Sequence, residues 1–220
     1  GMDDSRAAVS LRSLCDYLRR YYGKKVIILL DEYDTPMQEA YVNGYGEELT
    51  AFTRNLFNNT FKTNPDLERA LLTGITRVSK ESIFSDLNNL NVVTTTTRMY
   101  ETYFGFTQQE VSQALEEFGL SERMEEVKFW YDGFRFGAAK DIYNPWSILN
   151  FLRERKTAPY WANTSSNSLA GKLIREGSGR IKDEFAILLE GGFVETEIDE
   201  QIVYRQLDLS ESAIWSLLLA

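Results

Sequence analysis

Leu11, Leu14, Cys15, Leu18 and Tyr22 recur at alternating three- and four-residue spacing. That spacing predicts one buried face of a helix. Arg12, Arg19 and Arg20 fall off this face, and Gly23 supplies a stop. Residues 26–30 are Val-Ile-Ile-Leu-Leu, continuous rather than alternating. Such a run predicts a parallel-sheet strand buried on both faces. It ends abruptly in Asp31-Glu32-Tyr33-Asp34. A second helix is expected over 47–61, with Leu49, Phe52, Leu56 and Phe57 inward, broken by Asn64-Pro65-Asp66. Residues 70–75 read as a second buried strand. Helix, strand, helix, strand is the alternation of an α/β sheet.

Beyond residue 78 the chain turns polar and Asn-rich, anchored by Ile83, Phe84, Leu87 and Leu90, with a third extended stretch expected over 92–96. After Phe106 the character changes. Thr107 and Glu110 are spaced as a capping box, which predicts a helix over 108–118. A further helix should follow Ser121 and carry Met124, Val127 and Trp130, and residues 131–134 read as a turn. Asn144-Pro145 suits N-cap and N1 of a helix that buries Ile148, Leu149 and Phe151 or Leu152. Helices are expected over 167–176 and 181–190, a hairpin pairing 193–198 with 202–207, and a last helix from Ser210 or Ser212. The expected division is 1–106, an α/β core, and 107–220, a mainly helical region.

Composition narrows the chemistry. Hydrophobic residues make up 43% of the 220, too many for a disordered chain. The formal net charge is -9 and no stretch is strongly basic, which argues against nucleic acid as a partner. The single cysteine, Cys15, permits neither an intrachain disulfide nor a cysteine zinc site, and is expected to be buried. Histidine is absent, so Ser-His and Cys-His catalysis and histidine metal ligation are excluded. The longest apolar runs are too short to span a membrane, and no basic-then-apolar leader precedes them. The expectation is a cytoplasmic protein whose chemistry rests on carboxylates, hydroxyls, Lys, Arg or a bound ion.

Parallel sheets bind ligands at the carboxyl ends of their strands. An acid closing a buried strand can hold Mg²⁺ beside transferring phosphates, and a neighbouring Glu can polarise the attacking water. Asp31 is then the metal acid and Glu32 the base, with Asp34 either a second metal acid or the start of a turn at Thr35-Pro36. The bland alternative is a strand that ends in acids because the chain re-enters water. Thr73 closes the second strand, with Gly74 and Arg77 behind it. Thr73 is a candidate sensor of the γ-phosphate, or simply a β-branched strand residue. Arg77 is a candidate catalytic cation, or a surface charge.

The series Val26-Ile-Ile-Leu-Leu-Asp-Glu-Tyr-Asp-Thr-Pro36, Leu72-Thr-Gly-Ile-Thr-Arg77 and Ile83-Phe-Ser-Asp-Leu-Asn-Asn-Leu90 resembles the predicted AAA-ATPase-like family. Tyr131-Asp-Gly-Phe134, Tyr143-Asn-Pro-Trp-Ser-Ile148 and Tyr160-Trp-Ala-Asn-Thr-Ser-Ser166 resemble the same family's helical region. The resemblance implies a P-loop ATPase core using ATP and Mg²⁺, a winged-helix-like lid, and in many members a nuclease domain beyond. It implies metal, water and sensor roles for Asp31, Glu32, Thr73 and Arg77. This sequence departs from the pattern in holding no Gly-x-x-x-x-Gly-Lys-Ser/Thr loop, the element whose backbone N–H groups and Lys grip phosphates. The expectation is therefore an incomplete parallel sheet, with little or no hydrolysis by this chain alone. Its uncovered sheet edges are expected to recruit further copies, or to be covered by a flanking segment. A non-catalytic module that keeps the fold, and a carboxylate–metal hydrolase using Asp31, Glu32 and Asp34, are the alternatives.

Overall fold

The computed structural model describes residues 3–75, 84, 87, 90–162, 168–199, 207 and 210–219. The chain divides into two compact units, Gly1–Leu90 with Ser168–Ala220, and Asn91–Asn167. The boundary expected at 106/107 falls inside the second unit. The last segment returns to the first unit because its apolar helix supplies that unit's core.

The first unit opens with helices α1 (Asp4–Ala8) and α2 (Ser10–Tyr22). Gly23 ends α2 at φ 67° in the left-handed region, where glycine carries no Cβ penalty. Cys15 is buried on α2, whereas Leu14 and Tyr22 of the expected stripe are 49% and 66% exposed. Strand β1 (Val26–Leu30) follows, then α3 (Thr35–Asn43), α4 (Gly46–Phe61) and β2 (Leu67–Leu72). Helix α3 lies where the sequence predicts only a turn, and Pro36 near its start pre-sets the helical φ. The two strands pair in parallel, Leu29 against Leu71 and Leu30 against Leu72.

The sheet departs from the expected double burial. Ile28, Leu30, Leu67 and Leu72 pack against a core built on Met37, Phe57, Phe61, Ile214, Trp215 and Leu217. On the opposite face Ile27, Leu29 and Leu71 are 61%, 75% and 57% exposed. The second strand is likewise not buried: residues 68–71 are all exposed. A continuous apolar run marks a strand made to be covered on both sides. Among the described residues only one side is.

After α8 (Ser168–Glu176) and α9 (Gly179–Leu189), helix α10 (Glu211–Leu219) closes the unit. Five consecutive residues, Ala213 to Leu217, are buried, as an all-round apolar helix requires. The Trp215 indole N–H donates to Glu184 Oε2 at 2.8 Å. No strand forms over 193–198, and residues 201–206 of the expected hairpin lie outside the described set.

The second unit contains β3 (Phe106–Thr107), α5 (Gln108–Glu117), a 3₁₀ turn (Ser121–Arg123), α6 (Met124–Tyr131), β4 (Asp132–Phe136), β5 (Ala139–Tyr143) and α7 (Pro145–Glu154). The capping box forms as expected: Thr107 Oγ1 accepts from Glu110 N, and Glu110 accepts from Thr107 N at 2.8 Å. Asn144 caps α7 through Ser147 N at 2.9 Å, with Pro145 at the first turn. Ile148, Phe151 and Leu152 are buried as expected, but Leu149 is 56% exposed. The expected turn at 131–134 is instead the start of an antiparallel hairpin, and the three strands order β3-β5-β4. The stretch 92–96 forms no strand.

Candidate functional site at the strand ends

Pairing between β1 and β2 continues past the last strand residues. Thr73 N donates to Leu30 O at 2.9 Å, and Tyr33 N donates to Thr73 O at 2.9 Å. These bonds fix the two strand tips side by side. The Thr73 hydroxyl donates to Asp31 Oδ1, so the polar residue closing one strand holds the acid closing the other. The same oxygen accepts from Glu32 N at 3.1 Å. The sequence relates Asp31 and Thr73 only by role; the parallel register brings their side chains into contact.

Glu32 sits at φ 51°, in the left-handed region that β-carbons disfavour. A residue held there costs about 1 kcal/mol or more, and such strain clusters at functional sites. The turn that holds it is local: Glu32 O accepts from Thr35 N at 3.1 Å, and Glu32 Oε2 accepts from Thr35 Oγ1 at 3.2 Å. Asp31 and Glu32 are both exposed, so both carboxylates face water at the ends of the strands.

Asp34 differs from its neighbours in being 1% exposed. It occupies the N-cap position of α3, yet its side chain makes no cap bond to the helix backbone. Instead Oδ2 accepts from Gln38 Nε2 at 3.3 Å. Gly74 explains how the acid fits. A Cβ built on Gly74 would stand 2.5 Å from Asp34 Oδ1 and 2.8 Å from the Tyr33 ring. The exit of β2 therefore runs flush over the start of α3, with room for hydrogen only.

Of the residues singled out from sequence, Asp31, Glu32, Asp34 and Thr73 come together at this end of the sheet. Arg77 lies outside the described residues. Among the described residues no three His, Cys, Asp or Glu side chains converge as a metal cluster, so Asp31, Glu32 and Asp34 do not form a three-carboxylate cage. Sequence reasoning gives Thr35 and Gly74 no part in the site, and does not single out Gln38. A glycine directly after a strand, and a Thr-Pro pair at a helix start, were the available signals for two of them.

Comparison with known proteins gives a family likeness over part of the chain. Residues 2–84 match the AAA-ATPase-like family, described as a predicted AAA-ATPase. The match covers the segment holding α1 to β2 and the strand-end acids. An uncharacterised protein in the vnfD 5′ region of Azotobacter chroococcum mcd 1 is 31% identical over 157 residues, 70% of this chain. This chain spans only 30% of that relative's length. No solved structure matches.

Proposed function

We propose that the first unit carries the metal-and-water half of a P-loop ATPase site. The observation that supports it most is the Thr73 hydroxyl donating to Asp31 across the carboxyl ends of adjacent parallel strands. Ligands of parallel sheets bind there, and the AAA-ATPase-like match covers the same residues. Asp31, exposed and already oriented by two hydrogen bonds, offers the hard oxygen that suits hydrated Mg²⁺. Bound Mg²⁺ would neutralise charge on the transferring phosphates. Glu32 beside it orients the attacking water once its carboxylate leaves Thr35. Thr73 senses the γ-phosphate, and Arg77 stabilises charge developing on it. Asp34 anchors the turn from beneath.

ATP itself is less well matched. The sequence supplies the acids but no Gly-rich loop with Lys-Ser/Thr to hold phosphates. The reading is therefore of a half-site whose phosphate grip comes from outside these residues, and of ATP turnover as a property of the longer protein. The strand order β3-β5-β4, with α5 and α6 between β3 and β4, supports a winged-helix-like second unit. The exposed Ile27, Leu29 and Leu71 face, and strand edges that pair with nothing further among the described residues, favour a covering segment or a second copy.

Calorimetry with MgATP tests the half-site. The purified chain is expected to show no saturable binding, and the longer protein to bind, more weakly in Asp31→Ala. Saturable binding by this chain alone, lost in Asp31→Ala, would overturn the claim that the phosphate grip lies elsewhere.

A further inference from the structure

The aromatic segment around β4 and β5 was singled out by sequence, yet the half-site does not use it. Most of its polar side chains have structural duties. The Tyr131 hydroxyl donates to Ala158 O at 3.1 Å and accepts from Ala158 N at 3.0 Å. Asn144 caps α7, and the Trp146 indole N–H donates to Tyr160 O at 3.1 Å. Tyr143 is different. It is 0% exposed, and its hydroxyl has no hydrogen-bond partner among the described residues. Leaving such a group unpaired costs about 1–3 kcal/mol, and a water or an ion is the usual remedy.

The cross-strand neighbour of Tyr143 is acidic. Tyr143 lies directly opposite Asp132 in the β4–β5 ladder, and opposed residues of an antiparallel pair share one face of the sheet. Asp132 and Asp141 share one cationic neighbour. Lys128 of α6 stands 3.4 Å from Asp141 and 4.0 Å from Asp132, and donates to Gln108 Oε1 at 3.3 Å. One ammonium beside two carboxylates leaves surplus negative charge. Burial, and then the neighbouring Asp141, push the Asp132 carboxyl above the usual aspartate range. Burial, followed by the charges of Asp132, Asp141 and Glu125, pushes Tyr143 up to about 12, so its hydroxyl stays neutral near pH 7.

We propose that Asp132, Asp141 and the Tyr143 hydroxyl form a binding site for a hard divalent cation, with Lys128 as the internal counterion that the metal displaces. All three residues offer oxygen, the ligand type of Ca²⁺ and Mg²⁺. Asp132 and Asp141 supply two carboxylates, and water completes the coordination shell, as Mg²⁺ in particular prefers. Lys128 is 39% exposed on a flexible stem and can swing to solvent. The site lies in the unit 91–167, so it stands or falls independently of the ATPase reading.

Terbium(III), a Ca²⁺ surrogate excited through nearby tyrosine rings, is the probe. It is titrated into the purified chain carrying Asp31→Ala, which removes the strand-end acid as a competing site. Saturable emission displaced by Ca²⁺ or Mg²⁺ is expected. Affinity should fall about tenfold or more in Asp132→Asn and in Asp141→Asn, as loss of a metal-supporting group does. It should rise in Lys128→Gln, and Tyr143→Phe should dim the emission. Circular dichroism confirms that each variant is folded, and having two Asn variants guards against one failing to fold. No saturable signal, or a titration unchanged in both Asn variants, overturns the proposal.

Discussion

The Thr73 hydroxyl donates to the Asp31 carboxylate, tying together the carboxyl ends of the only two strands described in the first unit. The bond joins residues 42 apart in sequence. Its removal tests whether the pair is functional or merely a surface contact. Thr73→Val keeps the β-branched shape and deletes the donor. For this chain the expected loss of stability in urea is about 1 kcal/mol or less, the net value of one such hydrogen bond. For the longer protein, hydrolysis is expected to fall far more than that, while Thr73→Ser retains it. Equal small effects on stability and turnover in Thr73→Val would reduce the bond to a strand-end contact.

Gly74 is expected to be among the least replaceable glycines. In Gly74→Ala the new methyl meets Asp34 Oδ1 at 2.5 Å, and forcing the overlap should cost about 1–3 kcal/mol. Gly171, inside α8 and with nothing within 4 Å of an added Cβ, is the contrast. Gly171→Ala should stabilise by about 0.5–1 kcal/mol through helix propensity. Paired denaturation curves check both signs.

Asp132 gives the second unit a pH dependence of known direction. Its carboxyl is raised above the ordinary 3.8 in the folded state. The folded protein then binds more protons than the unfolded one in that interval. This group's contribution is present at and below the ordinary aspartate value, and is lost as pH rises through the raised folded value. Asp132→Asn should flatten the stability profile over that acid window and raise stability near neutrality when no metal is present. Thermal melts across pH 3–7 read it; a wild-type and variant profile of the same slope would contradict the assignment.

The exposed apolar face of the two-stranded sheet should drive association. Leu29 is 75% exposed and Leu71, its register partner, is 57% exposed. Sedimentation velocity of this chain is expected to show self-association that Leu29→Lys with Leu71→Lys weakens. Because both side chains already face water, the double variant should leave stability nearly unchanged. A monomer at all concentrations would remove the case for a second copy on this face.

Asn144 is the cleanest test of local sequence chemistry. Asn144→Ala deletes the acceptor for Ser147 N and should cost about 1 kcal/mol. Asn144→Asp, which keeps the acceptor, should cost little.

Several features were determined by sequence alone because their physics is local. The capping box at Thr107 and Glu110, the Asn144-Pro145 start of α7 and the Gly23 stop of α2 each involve groups within a few residues. The strand run 26–30 and its acidic end were equally legible, since a short β-branched run has few other uses. Tertiary structure decided what depends on distant partners. Continuous apolarity says that Ile27 and Leu29 are fit to be covered, not that anything covers them, and they are exposed. Nothing in residues 31–34 tells the exposed Asp31 and Glu32 from the buried Asp34; the approach of Gly74, 40 residues later, separates them. The return of α10 to the first core, and the cross-strand meeting of Asp132 with Tyr143, likewise depend on chain segments that periodicity cannot relate. Local pattern records what each segment can bury or bond, and only the folded chain supplies the surface or group it meets.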